Sequence, residues 1–84
     1  MFVYILYSIK ADKYYIGVTD NPEARLQKHN SNHKGFTSIA KDWEIKYLEF
    51  HSNKTNALKR ENEIKNWKSR KMLEALILKG LNRN

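Results

Sequence analysis

Two strand-like runs at the start of the chain, joined by a very short link, constrain its architecture more than anything else in the sequence. Phe2-Val3-Tyr4-Ile5-Leu6-Tyr7-Ser8 is almost continuously apolar or aromatic, which suits a buried strand. Lys10-Ala11-Asp12-Lys13 reads as a turn, and Tyr14-Tyr15-Ile16-Gly17-Val18-Thr19 as a second strand. A link this short makes the pair an antiparallel hairpin.

The rest of the chain supplies helices and one more strand. Asp20-Asn21-Pro22-Glu23 starts a helix: Asn21 caps, Pro22 suits the first helical position, and Glu23 complements the positive end of the dipole. This helix is expected to reach about His29 or Asn30. Ser31 to Asp42 is polar, contains Gly35, and reads as a loop; Glu44 to His51 reads as a third strand with Tyr47, Leu48 and Phe50 as its large residues. Ala57, Leu58, Ile64 and Trp67 then recur at helical spacing behind a cap at Ser52 or Asn53. Ser69 caps a last amphipathic helix carrying Met72, Leu73, Leu76 and Ile77, with Gly80 as its stop. The expected fold is α+β, one domain over 1–84, with a three-stranded antiparallel sheet flanked by helices in the order β-β-α-β-α-α. No repeat, linker or low-complexity tract interrupts it.

Composition narrows the function classes. A chain of 84 residues has room for one modest core. It has no cysteine, which removes disulfides, zinc–thiolate sites and thiol nucleophiles and favours the cytoplasm. The apolar start is too short to span a bilayer and lacks the basic residues that open a signal peptide. Sixteen Lys and Arg against nine Asp and Glu give a net charge of +7. The excess concentrates between Lys54 and Lys71, where seven basic residues stand against two acidic ones, Glu61 and Glu63. Such a face attracts a polyanion, and phosphate backbones are the commonest inside a cell. On charge alone, a basic solvated helix face explains it equally well. A membrane surface fits less well, because the segment has no broad apolar face to insert.

Three features break local rules. At 100° per residue, Glu61 lies about 40° from Ala57 and about 60° from Leu58 and Ile64, inside the apolar stripe, whereas Glu63 faces solvent more easily. A carboxylate there must be paired with one of the nearby lysines or bind a cation. Tyr4, Tyr7, Tyr14 and Tyr15 crowd one hairpin; Tyr15 and Gly17 share a face, and the glycine leaves a bare patch that would admit a ligand or another backbone. Packing is the default for each tyrosine. Arg25 and His29 project from one helix face four residues apart, joining a phosphate-shaped cation to a group that titrates near neutrality. No Gly-rich phosphate loop, H-E-x-x-H or Ser/His/Asp constellation accompanies them.

These features coincide in one pattern. Phe2-Val3-Tyr4, Tyr15-Ile16-Gly17, Arg25, His29 and Glu61, with eleven residues from Tyr4 to Tyr15 and ten from Tyr15 to Arg25, resemble the GIY-YIG nuclease family. Gly17 to Asn30 resembles the family's strand-to-helix segment, and Ala57 to Asn62 its glutamate helix. Phe2 and Val3 stand where the family name has Gly and Ile. The likeness runs from about Phe2 to Trp67 and suits the short stand-alone bacterial members; larger members add DNA-binding domains.

The resemblance implies phosphodiester hydrolysis with one divalent ion, Mg²⁺ or Mn²⁺, held by Glu61, water and a phosphate oxygen. Arg25 would hold a non-bridging oxygen, and a tyrosine, Tyr4 by preference, would take the proton of the attacking water with help from Tyr15 or His29. Gly17, Lys34, Lys59, Lys65 and Lys68 are the expected nucleic-acid contacts. DNA is favoured over RNA, structured, branched or damaged DNA in repair or recombination above all, with a protein partner supplying specificity. The alternative is a nucleic-acid-binding module of the same fold with little turnover, although a carboxylate at Glu61 would then repel phosphate. A structural interaction module, with Trp43 or Trp67 as an anchor, leaves the basic segment and Glu61 without a reason.

Overall fold

A computed structural model of the chain describes residues 1–81. Strand β1 (Phe2–Ser8) lies at the centre of an antiparallel sheet, between β2 (Lys13–Thr19) and β3 (Glu44–Phe50). The central position explains the apolar run, since Val3, Tyr4, Ile5 and Leu6 are all buried and the strand has no wet face. Ser8 closes the strand: its hydroxyl donates to Asp42 and accepts from the Ala11 amide. Asp12 turns the chain with φ 53°, a conformation Asp tolerates better than most residues.

Helix α1 (Pro22–His29) begins as its sequence requires, with Asn21 Oδ1 accepting from the Ala24 amide. Helix α2 (Lys54–Asn66) is capped in the same way by Asn53, and α3 (Arg70–Leu81) by Ser69, whose hydroxyl accepts from the Met72 amide. The α+β order β-β-α-β-α-α is therefore the observed one. Helices α2 and α3 cover the face of Val3, where Ala57 and Ile64 pack with Ile16, Val18, Trp67, Leu73 and Leu76. The opposite face carries Tyr4 and Leu6 against Trp43, with Leu26 of α1 beside them. Arg70 ties α3 to the hairpin turn through Asp12 at 2.5 Å and lies over the ring of Tyr14.

Three local expectations are corrected. Gly80 does not stop α3, which continues to Leu81; a Cβ there would come 3.0 Å from the Tyr47 ring, so the glycine permits close packing of helix on strand. Leu58 is exposed rather than part of the buried stripe. The segment Ser31 to Asp42 contains one turn of 3-10 helix, Phe36–Ile39. Among the described residues, no helix is long and apolar enough to cross a membrane.

Candidate active site

Strand register assembles the first half of the site. Tyr4 pairs with Gly17, and Leu6 with Tyr15, so Tyr4, Tyr15 and Gly17 belong to one face. The space expected beside Tyr15 is not open: the Tyr4 phenol fills it. A Cβ on Gly17 would lie 2.4 Å from Tyr4 Oη and 2.6 Å from Cζ. Gly17→Ala is therefore expected to push a buried ring off its rotamer and to cost about 1–3 kcal/mol. Chemical denaturation checks this, and a stability equal to wild type would mean that the ring moves freely.

Helix α1 brings the second half. Arg25 is exposed at its surface, while His29 descends into the protein and is buried. Tyr4 Oη and His29 Nε2 are 2.8 Å apart, and His29 Nδ1 lies 2.7 Å from Thr37 Oγ1 in the 3-10 turn. That turn is anchored by Trp43, whose indole N–H donates to the Thr37 carbonyl at 2.8 Å. The Tyr15 ring stands 4.8 Å from the His29 ring.

The phenol and the imidazole are both held neutral. The Tyr4 phenol is pushed up to about 12, chiefly by burial and then by the neighbouring Tyr15 phenol, with a smaller push from the Glu61 charge, against the lowering pull of Arg25. Burial likewise lowers the His29 pKa, helped by the charges of Arg25, His33 and Lys28. A phenol at about 12 is ionised to only about one part in 10⁴ at pH 8. Its ability to take a proton from water depends on handing its own to a neighbour, and His29 is in contact to receive it.

Above this pair a cavity of about 210 Å³ is lined by Tyr15, Arg25, Lys28, His33, Lys34 and Phe36. A second depression of about 380 Å³, which Arg25 also lines, includes Thr19, Asp20 and Lys54. Arg25 is thus shared by two hollows, of which the first is the more basic, and is placed to grip an anion bound there.

Glu61 enters from α2. Its side chain is only 15% exposed, and it pairs with Lys65 at 3.1 Å. Glu63 is exposed and pairs with Arg60. Among the described residues, no three His, Cys, Asp or Glu side chains cluster as a metal cage. The donor set is one partly buried carboxylate whose charge reaches Tyr4. That fits an Mg²⁺-type ion, which keeps several waters and takes one or two carboxylates plus substrate phosphate. It does not fit a zinc site of several nitrogen ligands.

Of the expected nucleic-acid contacts, Lys34 lines the cavity. Lys65 is engaged with Glu61, and Lys59 and Lys68 are exposed, Lys68 in the left-handed bend (φ 48°) between α2 and α3. Sequence reasoning did not find Thr37, His33 or Phe36 as site residues. The spacing from His29 to His33 is visible, but nothing in a polar loop marks which side chains it folds inward.

The GIY-YIG catalytic domain family matches residues 1–74, and the chain belongs to that family. Among curated relatives, UPF0213 proteins of Staphylococcus epidermidis and Staphylococcus haemolyticus are 38% and 35% identical to it over 77 residues, covering 89% of this chain and 92% of theirs. A UPF0213 protein of Staphylococcus aureus is 33% identical over 76 residues, at the same coverage. No solved structure matches.

Proposed function

We propose that the chain is a single-domain, metal-dependent endonuclease that hydrolyses phosphodiester bonds in DNA, acting in the cytoplasm on structured, branched or damaged DNA in repair or recombination. The observation that supports this most is the buried Tyr4–His29 pair at 2.8 Å beside Arg25, in a chain matched over residues 1–74 by a catalytic-domain family.

The chemistry follows from the groups. Tyr4 takes a proton from the attacking water, and His29 receives the phenol's own proton. Arg25 holds a non-bridging phosphate oxygen and stabilises the charge that builds there. Tyr15 walls the cavity beside the pair and orients what enters it. Glu61 holds one divalent ion, Mg²⁺ or Mn²⁺, which when bound stabilises charge on the phosphate and the leaving oxygen. Lys28 and Lys34 at the cavity, with the basic face of α2, hold the flanking backbone and make binding fall with salt. A protein partner supplies sequence or structure specificity that one small domain lacks.

The second reading, a binding module with little turnover, is favoured by one observation: Lys65 already neutralises Glu61. The deciding experiment is cleavage of labelled single-stranded, duplex and branched DNA and of RNA with Mg²⁺, Mn²⁺ or chelator. Cutting that requires the metal and falls with Arg25→Ala, in a variant whose circular dichroism is unchanged, supports the nuclease. Salt-sensitive binding without cutting moves the assignment to the module.

A further inference from the structure

The hydrogen bonds that hold His29 do not end at Thr37. Thr37 Oγ1 lies 2.7 Å from His33 Nε2, and His33 Nδ1 lies 2.8 Å from the Ser31 carbonyl oxygen. With the Tyr4–His29 and His29–Thr37 contacts, an unbroken line runs from the sheet to the loop after α1.

The Ser31 carbonyl sets the direction of that line. A carbonyl only accepts, so His33 carries its hydrogen on Nδ1. In neutral His33 the Nε2 is then bare and accepts from the Thr37 hydroxyl. That hydroxyl has a single hydrogen, so toward His29 it accepts, and His29 must carry its hydrogen on Nδ1. His29 Nε2 is then bare, and Tyr4 donates to it. Every hydrogen in the line points away from Tyr4 and toward the loop.

We propose that this line is a proton relay in which His33, acting through Thr37 and His29, takes up the proton that leaves the Tyr4 phenol. The proposal rests on the reading of Tyr4 as the group that deprotonates water. Three hydrogens each move one step. The Tyr4 O–H bond breaks as His29 Nε2–H forms; His29 Nδ1–H breaks as its hydrogen passes to Thr37; the original Thr37 hydrogen passes to His33 Nε2. The products are a Tyr4 phenolate and a His33 imidazolium, with His29 and Thr37 neutral and their hydrogen bonds reversed. His33 still donates through Nδ1 to Ser31, so no ring turns over.

Charge placement explains why the proton travels past His29. An imidazolium at His29 would sit in a buried ring that faces Arg25 and Lys28 from its own helix. His33 is only partly buried and lines the open cavity, where water solvates the charge. The other ionisable groups facing the line are Tyr15, from β2, Glu61, from α2, whose charge reaches Tyr4, and Lys34, from the cavity wall that Arg25 and Lys28 share. The phenolate left behind faces Arg25 and receives a hydrogen bond from His29 Nε2–H. Thr37 is suited to the middle position because the Trp43 indole fixes its backbone and leaves the hydroxyl free to exchange roles. His33 and Thr37 are positioning residues, since they act through His29.

The test begins with nitrogen-15 NMR of the histidine rings, which does not depend on activity. The resting protein is expected to show both His29 and His33 protonated on Nδ1, against the Nε2–H form that free histidine favours in water. His29 protonated on Nε2 would overturn the proposal. Thr37→Val, close in shape, removes the middle link and is expected to make the His29 tautomer mixed; an unchanged His29 spectrum counts against the relay. His33→Gln keeps an acceptor for Thr37 but cannot take up a proton. Both variants are expected to lower kcat about tenfold to a hundredfold with KM unchanged and to alter the pH–rate profile. If His33→Gln cuts at the wild-type rate with the wild-type profile, the line is structural and the relay is wrong. If the wild-type protein cuts nothing, the nuclease reading fails, while the tautomers still decide the direction of the line.

Discussion

Glu61→Ala is expected to lower metal-dependent cleavage by at least two to three orders of magnitude while DNA affinity stays the same or rises. The size follows from the several kcal/mol that an ion contributes at a transferring phosphate, at about 1.4 kcal/mol per tenfold in rate. The competing account, a purely structural ion pair, predicts something different. Lys65 is about half exposed in its 3.1 Å pair with Glu61, and an i,i+4 helix pair of that kind contributes about 0.3–0.5 kcal/mol. Losing it leaves the fold almost untouched under either account, so stability does not discriminate and turnover does. Affinity discriminates as well, because removing a carboxylate beside a phosphate site removes repulsion. Glu63→Ala is the matched control: Glu63 is exposed, pairs with Arg60, and should cut as wild type does. Cleavage kinetics and salt-titrated binding on the three proteins settle the matter. Wild-type cutting by Glu61→Ala, or loss of cutting in Glu63→Ala, would show that the carboxylate has been assigned wrongly.

That Glu61 could be singled out at all shows where this sequence is legible. Its position follows from helical period alone, and Ala57 and Ile64 are buried on the stripe that predicted it. The caps Asn21, Asn53 and Ser69 were equally readable, since a cap is a contact within three residues. What was not legible depends on register or on a loop. Gly17 marked a bare patch, but only the pairing of β1 with β2 reveals that Tyr4 occupies it. Gly80 looked like a helix stop because glycine commonly is one, and the neighbour that explains it, Tyr47, comes from a strand more than thirty residues earlier. Leu58 kept its helical spacing but lies at the rim, 40% exposed, beside the hollow lined by Met1 and Val18. Thr37 carries no signal in sequence and His33 only its spacing from His29, because a polar loop does not announce which of its side chains turn inward.

Tyr4→Phe is expected to reduce the cleavage rate by about 10²–10⁴-fold, the range that a positioned acid or base supplies. The same substitution leaves His29 Nε2 without its partner at a buried position, which costs about 1–3 kcal/mol of stability. Magnitudes separate the two effects. A domain that begins with about 5–15 kcal/mol remains almost entirely folded after that loss, so unfolding cannot account for a drop of two orders of magnitude or more. Thermal melts and circular dichroism beside single-turnover cleavage show both numbers on one sample. Cutting within a few-fold of wild type would remove Tyr4 from the role of base. Tyr15 would then replace it, since it lines the open cavity and its ring stands 4.8 Å from that of His29. In that case Tyr15→Phe should carry the large loss, and Tyr4 should be left as the group that fixes His29 and fills the space beside Gly17.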